Sequence, residues 1–118
     1  MGVAIITPFT ETNEVDYAAL ERLVDLHLNS GTDFLCVQGT TGETPTLTME
    51  EKRTIRKRII KQVDGRMGIM LGCGGNSTAA VVQELKTGDF TGIDGILSVC
   101  PYYNKPSQEG IYQHFAAI

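Results

Sequence analysis

The chain has 118 residues, of which 42% are hydrophobic, 20% charged and 7% aromatic, the composition of an ordinary globular domain. Ten Lys and Arg against 14 Asp and Glu leave a net charge of −4, a poor match for duplex DNA or RNA, whose phosphates need a basic face. No apolar run approaches the ~18 residues of a membrane-spanning helix, and the apolar content is too high for a disordered chain.

The start of the chain has no positively charged segment followed by a long apolar run, so it does not read as a signal peptide. Ile6 stands where a myristoylation motif wants Ser or Thr. Residues 3–7 form the first apolar, β-type run, closed by Pro8. Helical spacing follows over 16–30, with Leu20, Leu23, Val24, His27 and Leu28 on one face and Gly31 as the stop. Residues 34–38 make the second apolar run. The second helix starts at Thr48, with Glu51 three residues on, a capping-box pattern. Its stripe is Ile55, Ile59, Ile60 and Val63, and Gly65 ends it. A third strand over 68–72 precedes a helix over 77–86, with Ala80, Val81, Val82 and Leu85 apolar and Gly88 as the stop. A fourth strand over 95–99 precedes a helix from about Ser107, with the stripe Ile111, Tyr112, Phe115 and Ile118.

Short, continuously apolar runs bounded by Gly or Pro indicate strands buried on both faces, the mark of a parallel sheet. Four strand-then-helix units at a spacing of roughly thirty residues suit the right-handed βα unit. Two architectures use such units, the open doubly wound sheet and the closed (β/α)8 barrel. A barrel takes ~250 residues and eight units, so four units are about half of one. The last apolar stripe runs to Ile118 with no Gly, Asn or Pro behind it. The expectation is that residues 1–118 are the N-terminal half of a single barrel domain in a longer polypeptide. The alternative is a natural half-barrel that dimerises.

Three stretches follow strands and therefore belong at the C-terminal mouth of the sheet, where α/β proteins build their sites. The first is Gly39-Thr40-Thr41-Gly42-Glu43. Two glycines around two threonines can offer backbone N–H groups and hydroxyls to a carboxylate or phosphate. Glu43 suits a different job, accepting backbone hydrogen bonds to hold the loop. A threonine-rich turn with local caps is the competing reading. The second is Gly72-Cys73-Gly74-Gly75-Asn76-Ser77. It matches neither GxGxxG nor a P-loop, and reads as a βα turn with a helix cap. The third is Pro101-Tyr102-Tyr103-Asn104-Lys105-Pro106. A tyrosine hydroxyl there can relay a proton or anchor a ligand oxygen; alternatively the rings pack over a barrel end or at a subunit interface.

The remaining candidates read as structural. Cys36, Cys73 and Cys100 are odd in number and widely spaced, which excludes a CxxC pair or zinc knuckle and suggests buried, reduced thiols in the cytoplasm. Lys52, Arg53, Arg56, Lys57, Arg58 and Lys61 crowd one helix without interleaved aromatics, the pattern of a solvated outer face. His27 and His114 have no paired acid or cysteine in their helices, and no spacing suits a metal.

The 39–43 and 101–106 motifs, with Ser107-Gln108-Glu109-Gly110-Ile111-Tyr112-Gln113-His114-Phe115 behind them, closely resemble the dihydrodipicolinate synthases. These are pyruvate-dependent class I aldolases, in the superfamily of N-acetylneuraminate lyase. The resemblance begins at Ala4-Ile5-Ile6-Thr7-Pro8-Phe9 and spans essentially the whole chain. It implies a TIM barrel, a homotetramer built from tight dimers, and no cofactor. The implied reaction is a Schiff-base condensation of pyruvate with aspartate 4-semialdehyde on the route to lysine. By motif, Thr40 matches the threonine of the proton relay, and Thr41 the residue whose N–H and hydroxyl hold the pyruvate carboxylate. Tyr103 matches the relay tyrosine that reaches the neighbouring subunit's site.

The family's Schiff-base lysine, second relay tyrosine and substrate-binding arginine lie on later strands, past Ile118. The lysines present are Lys52, Lys57, Lys61, Lys86 and Lys105; four are on helices, and the fifth, on a mouth loop, is a poor nucleophile while exposed and charged. The implied enzyme is therefore a larger protein, and the 118 residues alone are expected to be inactive. Two other readings stand beside this one: another pyruvate aldolase of sugar-acid lyase type, and a non-catalytic half-barrel module.

Overall fold

A computed structural model describes residues 1–118. Its strands are β1 (Gly2–Ala4), β2 (Phe34–Val37), β3 (Gly68–Gly72) and β4 (Gly95–Leu97), and its helices α1 (Tyr17–Asn29), α2 (Met49–Val63), α3 (Thr78–Thr87) and α4 (Gln108–Ala117). All strand pairs are parallel, and the sheet order is β1-β2-β3-β4. That order separates the two candidate architectures. A doubly wound sheet reverses direction at a switch point, whereas here the order runs one way. With right-handed crossovers, all helices then fall on one face, which is the arrangement of a (β/α)8 barrel, present here as four βα units.

Strand register explains the two faces. Leu35 pairs with Ile69 and Val37 with Leu71, and all four are buried beneath the helices. Ile5, Leu20, Val24, Ile55, Ile59 and Val63 complete that core. The opposite face alternates small and large residues. Phe34 lies between Gly2 and Gly68, and the next row reads Ala4, Cys36, Met70, Gly95. Such size alternation fills the interior of a small barrel.

Each helix begins where its cap dictates. Asp16, Thr48, Ser77 and Ser107 are the N-caps. Thr48 and Glu51 form the reciprocal capping box. Past α2, Asp64 (φ 47°) and Gly65 (φ 71°) are both left-handed and turn the chain towards β3. α1 and α2 are bolted together by Arg58 on Glu21 at 2.6 Å and Gln62 on Asp25 at 2.7 Å, with Arg58 also over the Tyr17 ring at 4.7 Å.

Two expectations need correction, and the sequence leaves a third feature open. β1 ends at Ala4, three residues before the apolar run does; the last bond to β2 is Ile5 N–H to Cys36 C=O, and Thr7 beyond it bonds to the 39–43 loop. Cys100 is exposed, unlike Cys36 and Cys73, because it lies beyond β4 at the open edge of the sheet. On α4, where the sequence gives an apolar stripe without a direction, Tyr112 is 66% and Phe115 41% exposed, while Ile111 and Ile118 are half-buried. His114 takes the buried position, against α3, where its Nδ1 lies 2.8 Å from the Thr78 hydroxyl. No helix is long and apolar enough to cross a membrane.

Candidate active site

Parallel strands bring the segments that follow them to one rim, so Thr7, Thr40, Thr41, Gly72 and Tyr103 all lie at the C-terminal mouth. The rim is also where backbone strain gathers. Of the six non-glycine residues with positive φ, five lie on segments that follow a strand: Asn13 (63°), Gln38 (60°), Glu43 (52°), Tyr103 (69°) and Lys105 (46°). A left-handed conformation costs a side-chain-bearing residue about 1–2 kcal/mol. Such outliers concentrate at functional sites, where surrounding structure holds them.

The 39–43 loop is a 3₁₀ turn over Thr40–Gly42, not a glycine hinge, since neither Gly39 nor Gly42 has positive φ. Two backbone bonds close it, Gly42 N–H to Gly39 C=O and Glu43 N–H to Thr40 C=O, both 3.0 Å. Outside contacts hold it in place. The buried Thr7 hydroxyl donates to Gly42 C=O at 2.7 Å. The Thr44 hydroxyl donates to Gly39 C=O at 3.0 Å. The Gln38 side-chain amide donates to Lys52 C=O at 2.5 Å, tying the end of β2 to α2. Gly72 sits so close that a Cβ there would lie 2.2 Å from the Gln38 carbonyl oxygen. Glu43 does not hold the loop as its chemistry suggests; its carboxylate is exposed and makes no hydrogen bond within the chain. The clamp is Thr7 instead, which sequence spacing gave no reason to single out, being thirty-five residues from its partner.

The clamped turn leaves Thr40 and Thr41 exposed, with their hydroxyls and N–H groups free of partners in the chain. Four donors on two adjacent residues suit a carboxylate or another small anion. Tyr103 is 90% exposed, and its hydroxyl has no partner within the chain either. Its left-handed backbone is the centre of a three-residue turn, closed by Asn104 N–H to Tyr102 C=O at 2.9 Å. β3 separates the strands behind the two groups, so their strand ends lie about 10 Å apart at ordinary spacing. The structure gathers Thr40, Thr41 and Tyr103 on one rim without joining them by a hydrogen bond.

The other candidates fall into structural roles. Ser77 caps α3 through Ala80 N–H at 3.4 Å, so the 72–77 stretch is a capped βα turn. Burial, then the Glu84 carboxylate, pushes the Cys73 thiol up to about 11, and burial raises Cys36 as well. Neither is a thiolate at neutral pH. The His27 Nδ1 lies 3.2 Å from the Thr32 hydroxyl. Arg53, Arg56, Lys57 and Lys61 line an open groove of about 750 Å³ between α2 and α3, on the outer wall.

Comparison with known proteins agrees with this geometry. The profile described as the dihydrodipicolinate synthetase family matches residues 1–118. The 4-hydroxy-tetrahydrodipicolinate synthases of Phocaeicola vulgatus and Parabacteroides distasonis are 64% and 63% identical to the chain over its 118 residues. The chain spans about 40% of the length of either relative. Among solved structures, a chloride-inhibited dihydrodipicolinate synthase from Acinetobacter baumannii, complexed with pyruvate, superposes with a TM-score of 0.92 at 45% identity. The match covers 98% of this chain and 40% of that one.

Proposed function

The chain belongs to the dihydrodipicolinate synthetase family, and we propose that it supplies the first four βα units of a (β/α)8 barrel acting as a 4-hydroxy-tetrahydrodipicolinate synthase. The reaction condenses pyruvate, held as a Schiff base, with aspartate 4-semialdehyde. The observation that carries the proposal is the clamped turn at the rim, with Thr40 and Thr41 presenting unpaired N–H groups and hydroxyls. The names of the relatives favour the synthase over a sugar-acid lyase.

The resemblance to the family, with which this chemistry is compatible, suggests three roles. Thr41 holds the pyruvate carboxylate through its N–H and hydroxyl, as charge-assisted hydrogen bonds. Thr40 passes protons during imine and carbon–carbon bond formation; a hydroxyl both gives and takes a proton, so a chain of hydroxyls moves one without carrying charge. Tyr103 continues that chain. Its phenol, exposed and unpartnered in its own chain, is suited to reach a neighbouring subunit's site. Exposed Tyr102 and Tyr103 support the expected homotetramer of tight dimers. Three thiols with no disulfide suit the cytoplasm.

The Schiff-base lysine is assigned outside these residues. Lys52, Lys57, Lys61 and Lys86 are on the outer helices and Lys105 is exposed at the rim. The test is borohydride trapping of pyruvate, read by intact mass, on the 118-residue chain and on a barrel-length polypeptide carrying it. An adduct on the longer polypeptide alone is expected. An adduct on the short chain would overturn the assignment, and none on either would overturn the class I aldolase mechanism.

A further inference from the structure

Thr7 lies outside every motif that marks the rim, yet the loop bearing Thr40 and Thr41 depends on it. A three-residue 3₁₀ turn with two backbone bonds has little stability of its own. Its orientation must come from outside. Among the contacts that hold it, Thr44 is local, and Gln38 fixes the strand end before the turn. The Thr7 hydroxyl alone grips the turn itself from a distant segment, the exit of β1, donating to the Gly42 carbonyl at 2.7 Å.

Both partners are immobilised. Thr7 is 7% exposed, two residues after Ile5, whose N–H donates to Cys36 C=O at 3.1 Å. The next residue, Pro8, gives its carbonyl to Asp16 N–H at 2.8 Å, and Asp16 in turn caps α1. On the other side, Gly42 is buried against β1's exit; a Cβ there would meet the Ile5 carbonyl at 3.3 Å and the Thr7 hydroxyl at 3.4 Å. The Gly42 carbonyl is thus held by a buried donor on a rigid support, and the N–H groups at the start of the same turn are aimed as a consequence. Supports of this kind fix first-contact groups to within a fraction of an ångström, and a 1 Å error costs about a hundredfold in rate.

We propose that Thr7 is a positioning residue for the pyruvate-binding turn, setting the direction of the Thr40 and Thr41 donors without touching substrate. This rests on the functional reading above. The experiment compares Thr7→Val, which keeps the shape and removes the donor, with Thr7→Ser, which keeps the donor, in a barrel-length polypeptide carrying this chain. Two readouts are taken: steady-state kinetics with each substrate varied, and amide hydrogen exchange at Gly42 and Glu43.

For Thr7→Val the expected result is a pyruvate KM raised about tenfold, as for one lost hydrogen bond's worth of alignment, with the aldehyde KM unmoved and faster exchange at both amides. Thr7→Ser is expected to stay within about threefold of the parent in all of these. A merely structural role would lower the amount of active enzyme and leave the pyruvate KM alone. An unchanged pyruvate KM or unchanged exchange in Thr7→Val overturns the proposal, and so does a Thr7→Ser variant as impaired as Thr7→Val. If Thr7→Val fails to fold, Thr7→Ala carries the same readouts. A parent protein without synthase activity overturns the functional reading instead, while the exchange result still decides whether Thr7 holds the turn.

Discussion

Gly72→Ala is the substitution that most directly tests how the rim is built. The added Cβ would lie 2.2 Å from the Gln38 carbonyl oxygen, 2.6 Å from its carbon and 2.9 Å from Gly39 N, whereas ordinary contacts begin at 3.4 Å. The obstruction is backbone, so no rotamer relieves it; β2 and β3 would have to part by about 1 Å. Leu71 is paired with Val37 on one side and Ile96 on the other, so β3 cannot yield without breaking register. Overpacking of this kind costs about 1–3 kcal/mol, and a backbone collision at this distance belongs at the upper end. Gly31→Ala is the internal control: its φ is +72° and nothing lies within 4 Å of a Cβ, so it meets only the left-handed penalty of about 1 kcal/mol. Urea unfolding of the two variants, with equal slopes, reports the difference as a shift in midpoint. A Gly72→Ala midpoint at or above that of Gly31→Ala would refute the close approach of the two strand ends.

Other outcomes follow from single features. The Thr48 N–H and hydroxyl hold Glu51 below its usual 4.5. A carboxyl whose folded value is depressed stabilises the fold above the unfolded value and loses that contribution as pH falls through the folded one. The stability gap between the parent and Glu51→Gln should therefore be full above pH 4.5 and close on further acidification, and a gap independent of pH would contradict the capping box. Cys100 is exposed while Cys36 and Cys73 are buried with raised values, so at pH 8 alkylation read by mass should label one thiol in the native chain and all three in denaturant. Both sheet edges, β1 and β4, are unpaired, and Leu97, Val99 and Phe115 are 50%, 46% and 41% exposed beside the β4 edge. The isolated 118-residue chain should self-associate, and a clean monomer by light scattering would contradict this.

The sequence was most legible where signals are local. Thr48 and Glu51 declare a helix start because both partners sit within one turn, and the structure has the bonds at 2.7 and 3.2 Å. The Gly39–Glu43 motif is legible as a candidate site because it directly follows an apolar strand. Its internal mechanics were not. Glu43 looked like the clamp on chemistry alone, but a left-handed φ of 52° leaves its carboxylate exposed. On α4 the 3.6-residue period marks an apolar stripe but gives no direction for it, because periodicity states that one face is apolar without saying what lies against it. His114 is buried through Thr78, thirty-six residues away, a pairing no window of sequence contains.

Composition, strand-then-helix spacing and caps were enough for the class of fold, because each depends on residues within one or two turns of each other. The choice between a doubly wound sheet and a barrel was not local: it rests on which strands become neighbours, and the one-way order β1-β2-β3-β4 exists only once the units are assembled. The same holds for the clamp on the rim. Thr40 and Thr41 announce themselves in sequence, but the hydroxyl that grips their turn comes from the segment after β1. Parallel strands bring their exits together from about thirty residues apart, so the donor meets its acceptor only in the folded chain.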